Sequence, residues 1–210
     1  MLDAEPFPRF LATLLSSYAL VLAVPGPNWL VVLRASLVTP GRGPACAALG
    51  IACGAALAAA FAAGCASLLP TSRLVTGLGT ALFAALLVRA ALRLLSGRAQ
   101  AAVDAHRLSP GRDSATFGLG LLAAVSNPVS LAYFAGFFLA HPRPEGQGAL
   151  PVVGAAVFVM AATWFGLLGL LFTHPACRHL FARAGRWMHY GIAAGLVACA
   201  ALAVWRAVGA

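Results

Sequence analysis

Residues 10–33 read FLATLLSSYALVLAVPGPNWLVVL, an uncharged stretch broken past its middle by Pro25-Gly26-Pro27-Asn28. A helix needs about 20 apolar residues to cross roughly 30 Å of hydrocarbon, and this stretch is long enough. Further uncharged runs cover Pro44–Ser72, Leu74–Val88, Ala115–Ala140 and Gly146–Thr173, and Trp187–Trp205 carries only His189. The whole chain of 210 residues is 61% hydrophobic and 9% charged, with mean hydropathy +0.91. A soluble fold of this length needs more polar surface than that. The expectation is an all-α integral membrane protein of six transmembrane helices, a single transmembrane domain over 1–210 with the lipid bilayer as its solvent.

The basic residues are all Arg, and against five acids they give +9. They sit in short connections and form no stripe interleaved with aromatics, which argues against nucleic acid as a partner. Arg34 and Arg42 follow span 1, Arg89, Arg93, Arg98, Arg107 and Arg112 surround the link after span 3, and Arg178, Arg183 and Arg186 follow span 5. The opposite side holds Arg9, Arg73, Arg143 and Arg206. Basic residues are retained in the cytoplasm, so both termini of a multi-pass protein are expected outside. Arg89 and Arg93 are expected to snorkel to the cytoplasmic end of span 3. Cys46, Cys53, Cys65, Cys177 and Cys199 form no C-x-x-C and have no His or acid at ligand spacing, so they read as small hydrophobes, with no metal and no cofactor expected. The acidic start (Asp3, Glu5), with no small-x-small site before Pro25, reads as part of span 1 rather than a cleaved signal.

The polar stretch from Ser96 to Ser114 divides the chain into halves of about 7–95 and 115–207, joined by an expected cytoplasmic loop over 96–114. Each half opens on a span interrupted by proline, at Pro25-Gly26-Pro27-Asn28 and at Asn127-Pro128, and continues with two less interrupted spans. Three spans per half is odd, so the second half enters from the other side. That is the layout of an inverted repeat, in which helices 1 and 4 are the broken ones. Thr71 or Ser72 can cap span 3. Gly50-x-x-x-Gly54 and Gly191-x-x-x-Gly195 allow close helix approach. Contact within the subunit is the expectation, with a homodimer seam as the other reading.

The breaks are where chemistry is expected. Proline has no N–H and its ring clashes with the preceding turn, so carbonyls near Val21, Ala23 and Ala124 lose their usual donors. Unpaired groups in hydrocarbon cost several kcal/mol each. A cap followed by proline is also a helix start, so half-helices would begin in mid-membrane at Pro27 and Pro128. The amides of Asn28, Trp29, Leu30, Val129, Ser130 and Leu131 would then present positive dipole ends to a carboxylate, and the freed carbonyls would receive an ammonium. Pro27 lies seven residues from Arg34, about 10 Å along a helix, near the midplane. The candidate substrate-binding residues are Pro25, Gly26, Pro27, Asn28, Asn127, Pro128, Ser130 and Tyr133. Simple kinking is the competing account of each proline. Ser16, Ser17, Tyr18, Ser36, Ser126, Thr163 and Trp164 are also polar and within spans, and hydroxyls there usually bond back to their own helix. None of the five acids lies inside a span, so a proton relay would fall to His189 or to an acid at a membrane edge.

These residues resemble the LysE/RhtB family of amino-acid exporters. The family's first-span motif stands as Pro25-Gly26-Pro27-Asn28 through Arg34. Gly41-Arg42 and Leu49-Gly50-x-x-x-Gly54 follow, Gly79 and Arg89 match the third span, and the fourth-span Asn-Pro element runs from Phe117 to Phe138. The resemblance implies secondary active export of amino acids or related small metabolites, not enzyme activity, with an amino acid as the small-molecule partner. The chain departs from the family at Ala55, where many members have an acid, at Val129, where Lys is frequent, and near Leu82, where Tyr is. The alternatives are a non-transporting accessory subunit and a membrane-embedded oxidoreductase; the latter would need a reactive pair that is not visible.

Overall fold

The structure is a computed structural model. It describes residues 7–23, 26–39, 41–68, 73–95, 113–141 and 149–177, and from 190 to 205 all but 192, 196, 199 and 203. The described elements are helices: α1 (Phe7–Ala23), α2 (Pro27–Val38), α3 (Gly43–Ser67), α4 (Arg73–Leu95), α5 (Asp113–Val125), α6 (Pro128–Ala140) and α7 (Ala149–Thr173), followed by an apolar terminal helix over Ala193–Leu202. No strand occurs among the described residues. The chain is a nearly all-helical, multi-pass membrane protein.

Two helices, α3 and α7, are each 25 residues long and apolar enough to cross a bilayer unaided. Two further spans are bent pairs: α1 and α2 meet at 59°, and α5 and α6 at 50°. By length and composition the described residues therefore supply up to four spans. α5 begins at Asp113, two residues inside the expected loop, because an acid in the first turn favours a helix start. The capping expected of Thr71 or Ser72, and Cys199, Trp187 and His189, lie outside the described residues.

Alanine and glycine put α3 at the centre, in contact with α2, α5, α6 and α7. A Cβ on Gly50 would overlap the Phe117 carbonyl, and one on Gly120 the Ala47 carbonyl. At Gly54 it would lie 2.7 Å from both Ala124 Cβ and Leu121 O. The Gly50/Gly54 face is thus filled within the subunit, by α5 running parallel to α3. Dispersion between closely apposed backbones replaces the hydrophobic drive that lipid removes. Gly191 and Gly195 meet nothing within 4 Å.

α1 buries one stripe, Phe10, Leu14, Tyr18 and Leu22, at the i, i+4 spacing of a single helix face. That stripe lies along α6 in the opposite direction. Phe10 is 5.5 Å from Phe137 and 6.4 Å from Phe138 between ring centroids, and Tyr18 is 5.7 Å from Tyr133 and 5.1 Å from Phe134. The outward faces stay apolar and exposed, as at Leu20, Phe61 and Leu170, which suits lipid contact.

Candidate substrate site at the two helix breaks

Asn127 does what its position requires. Its backbone is extended (φ −70°, ψ 109°), Pro128 takes the first helical position, and Asn127 Oδ1 accepts from the Val129 amide at 3.0 Å. The Leu131 amide donates to Asn127 O at 3.0 Å and the Asn127 amide to Ala124 O at 3.3 Å. One residue earlier, both the Ser126 amide and Ser126 Oγ donate to Leu122 O, at 2.9 and 2.6 Å. The second break is therefore a helix end followed directly by a capped helix start. Asn127 and Ser130 are buried, while Pro128 and Ser126 are exposed.

The first break is built differently. Gly26 is the cap residue, extended at φ −154° and ψ −161°, and it offers no side chain. The Leu30 amide donates to Gly26 O at 3.2 Å. Trp29 then reaches back over the gap, and its Nε1 donates to Leu22 O at 2.8 Å. Asn28 is buried, at 7% exposure, and its Oδ1 has no hydrogen-bond partner. Pro25 lies outside the described residues.

These bonds correct part of the expected chemistry. Of the six amides assigned to an anion, Leu30, Leu131 and Val129 are already engaged by the chain, because a cap side chain or cap carbonyl reaches them within one turn. Trp29 also has an interaction of its own. Among the described residues no such bond engages the Asn28 and Ser130 amides, one at each break. Ala124 O is likewise not freed, since the Asn127 amide turns back onto it. At the first break, the acceptor Leu22 O is closed by an indole.

Tyr133 acts between helices. Its hydroxyl donates to Leu14 O at 2.8 Å and lies 2.7 Å from Ser17 Oγ, so the polar tip of α6 is tied to α1. The other hydroxyls behave as mid-membrane hydroxyls do: Ser16 and Ser17 bond to Thr13 O, and Ser36 to Val32 O. Ser36 also reaches Gly169 O at 3.4 Å, across to α7. A second buried polar atom lacks a partner, Trp164 Nε1 on α7. The Trp164 ring lies 6.4 Å from that of Trp29. Trp29 and Trp164 do not follow from break motifs; an indole mid-span beside a break is the signal that marks them.

A shallow apolar groove of about 620 Å³ runs between α1 and α7, lined by Leu15, Ala19, Val152, Ala156 and Val159 among others. It holds no residue of either break and almost no polar surface, so it has no means of orienting a polar solute. No group of three or more His, Cys, Asp or Glu that could hold a metal occurs among the described residues, and Cys46, Cys53, Cys65 and Cys177 are free thiols.

The chain thus has two bent, apolar spans, each with a buried asparagine at its break. Over residues 19–206 it matches the LysE type translocator family. The chain belongs to that family. Comparison with curated proteins and with solved structures finds no match. The match takes in both breaks and every helix from the last turns of α1 onward. LysE type translocators are membrane transporters of small molecules.

Proposed function

We propose that this translocator exports amino acids or related small metabolites across a bacterial cytoplasmic membrane, driven by an ion gradient, with the solute held near the midplane between the two breaks. The observation that carries this reading is the pair of membrane helices broken at equivalent places, each restarting within one residue of a buried asparagine, Asn28 and Asn127. The antiparallel register of α1 on α6 supports their convergence. Phe10 faces Phe137 and Leu14 O meets the Tyr133 hydroxyl; from there about two turns along α1 lead to Leu22, and about one and a half back along α6 lead to Pro128. Both restarting half-helices then direct a dipole end and one amide, of Asn28 and of Ser130, toward a shared depth. Gly26, Pro27, Asn28, Asn127, Pro128 and Ser130 form the site, with Pro25 beside them in sequence, and Tyr133 sets the distance between its two walls.

In this reading the single domain has six spans in two inverted halves, about 7–95 and 115–207, with α4 and the terminal helix as spans three and six. Each half contributes a bent pair and two straight helices. The exchange of partners supports it: α3 packs on α5 and α6 of the other half, and α7 on α1 and α2. Rocking one half against the other would open the midplane site to alternate sides. The termini lie outside, and the open Gly191/Gly195 face is available to a second copy.

The test is efflux from proteoliposomes loaded with a panel of radiolabelled amino acids, with and without an imposed proton or sodium gradient. Gradient-dependent loss of at least one amino acid is expected. No movement of any would remove the exporter reading in favour of an accessory subunit.

A further inference from the structure

Two buried polar atoms of opposite hydrogen-bonding sense lie without partners on neighbouring walls beside the first break. Asn28 Oδ1, at the start of α2, can only accept, and Trp164 Nε1, in mid α7, can only donate. Trp29, which follows Asn28 in sequence, links the two walls: its ring is 6.4 Å from that of Trp164 and 6.4 Å from that of Phe172. Trp29 cannot serve either atom with its own N–H, which is bonded to Leu22 O. Buried polar atoms are paired in the great majority of cases, and an unpaired one costs free energy unless something else meets it. One unpaired acceptor and one unpaired donor beside a helix N-terminus describe a receptor for a small molecule that carries both functions.

We propose that Asn28 Oδ1 and Trp164 Nε1 are the polar recognition pair of the translocated solute, Asn28 accepting from its ammonium and Trp164 donating to its carboxylate. This deepens the exporter reading and rests on it. The Asn28 amide and the dipole of α2 add to the carboxylate side, and the Trp29 face offers a π surface to the ammonium. The solute that fits is a zwitterion with no further charge. The chain's acids are Asp3, Glu5, Asp104, Asp113 and Glu145, and Asp113 stands at the very start of the 13-residue α5, whose other end lies at the break, so a cationic side chain would meet no carboxylate of either broken span near the breaks.

The experiment uses the full chain in proteoliposomes with L-alanine, L-leucine and L-lysine as probes. L-alanine methyl ester and N-acetyl-L-alanine serve as competitors that lack the carboxylate charge and the ammonium respectively. The unaltered protein should move alanine or leucine and reject lysine and both competitors. Trp164→Phe should raise KM for the neutral amino acid about tenfold or more and erase discrimination against the ester alone. Asn28→Leu should do the same for the N-acetyl compound alone. Because Asn28→Leu removes an unpaired acceptor, the melting temperature of the empty protein should hold or rise. Should Trp164→Phe fold poorly, benzothienylalanine at 164 keeps the bicyclic ring and lacks only the N–H. Transport with unchanged KM and unchanged discrimination in both variants overturns the pair while leaving the exporter reading in place. Equal efflux of lysine overturns it too, as does a lower melting temperature for Asn28→Leu with transport intact. If the unaltered protein moves none of the amino acids, the exporter reading falls and the pair with it.

Discussion

At the two breaks the same problem, a helix that stops and restarts in hydrocarbon, is met by different side chains. Asn127 caps its own half-helix through Val129, whereas at the first break the cap is a glycine and the closing donor is the Trp29 indole two residues into α2. Asn28, which looks in sequence like the counterpart of Asn127, is displaced one position past its proline and caps nothing. This division predicts unequal effects. Asn127→Ala removes a cap and should cost about 1 kcal/mol of stability, read as a fall in melting temperature in detergent, and Asn127→Asp should retain the cap and most of the stability. Trp29→Phe leaves Leu22 O unpaired and should cost about 1–3 kcal/mol. A fall for Asn127→Asp as large as for Asn127→Ala would show that the amide, not the oxygen, is what matters there.

Among the helices, the close approach of α3 and α5 is the arrangement least tolerant of change. Gly50 and Gly120 each face a backbone carbonyl of the other helix at a distance that admits no Cβ. Gly50→Ala should therefore force the helices apart and destabilise by about 1–3 kcal/mol, whereas Gly154→Ala, on α7 with nothing within 4 Å, should be neutral or slightly stabilising through helix propensity. Thermal melts of the two variants side by side check this. The tie between α1 and α6 has another character. Tyr133→Phe removes two polar contacts at once but keeps the ring stack on Tyr18. It should cost about 1 kcal/mol of stability. In the exporter reading it should also change the efflux rate more than KM, since it loosens the walls of the site without touching the solute.

For the whole molecule, orientation is the property that charge distribution predicts and packing must respect. Phe10 near the start of α1 meets the last turn of α6, and Pro44 near the start of α3 meets Gly169 near the end of α7, so each pair of ends lies on one side. Arg9 and Arg143 fall at the first of these ends in sequence, and Arg34, Arg42 and Arg178 at the second. If both termini lie outside, as proposed, a membrane-impermeant thiol reagent applied to intact cells should label Ala210→Cys in a background lacking the native cysteines. Ala101→Cys, in the link between the halves, should be labelled only after the membrane is permeabilised. The reverse pattern would invert the molecule.

Hydropathy and proline are local properties, and among the described residues they suffice for two straight apolar spans, the places where two others break, and the capped restart at Asn127. A 20-residue apolar run has few options in a bilayer, and a proline acts on its own turn. What occupies the groups that a break exposes is a different kind of question. Whether Leu22 O meets a solute or the Trp29 indole, and whether the Tyr133 hydroxyl faces a pocket or the Leu14 carbonyl, depends on which side chain arrives first in three dimensions. Leu14 and Tyr133 are 119 positions apart, and only the packing of α1 along α6 brings them within hydrogen-bonding distance. The same packing leaves Asn28 Oδ1 and Trp164 Nε1 buried and unmatched, because no donor or acceptor among the described residues reaches them.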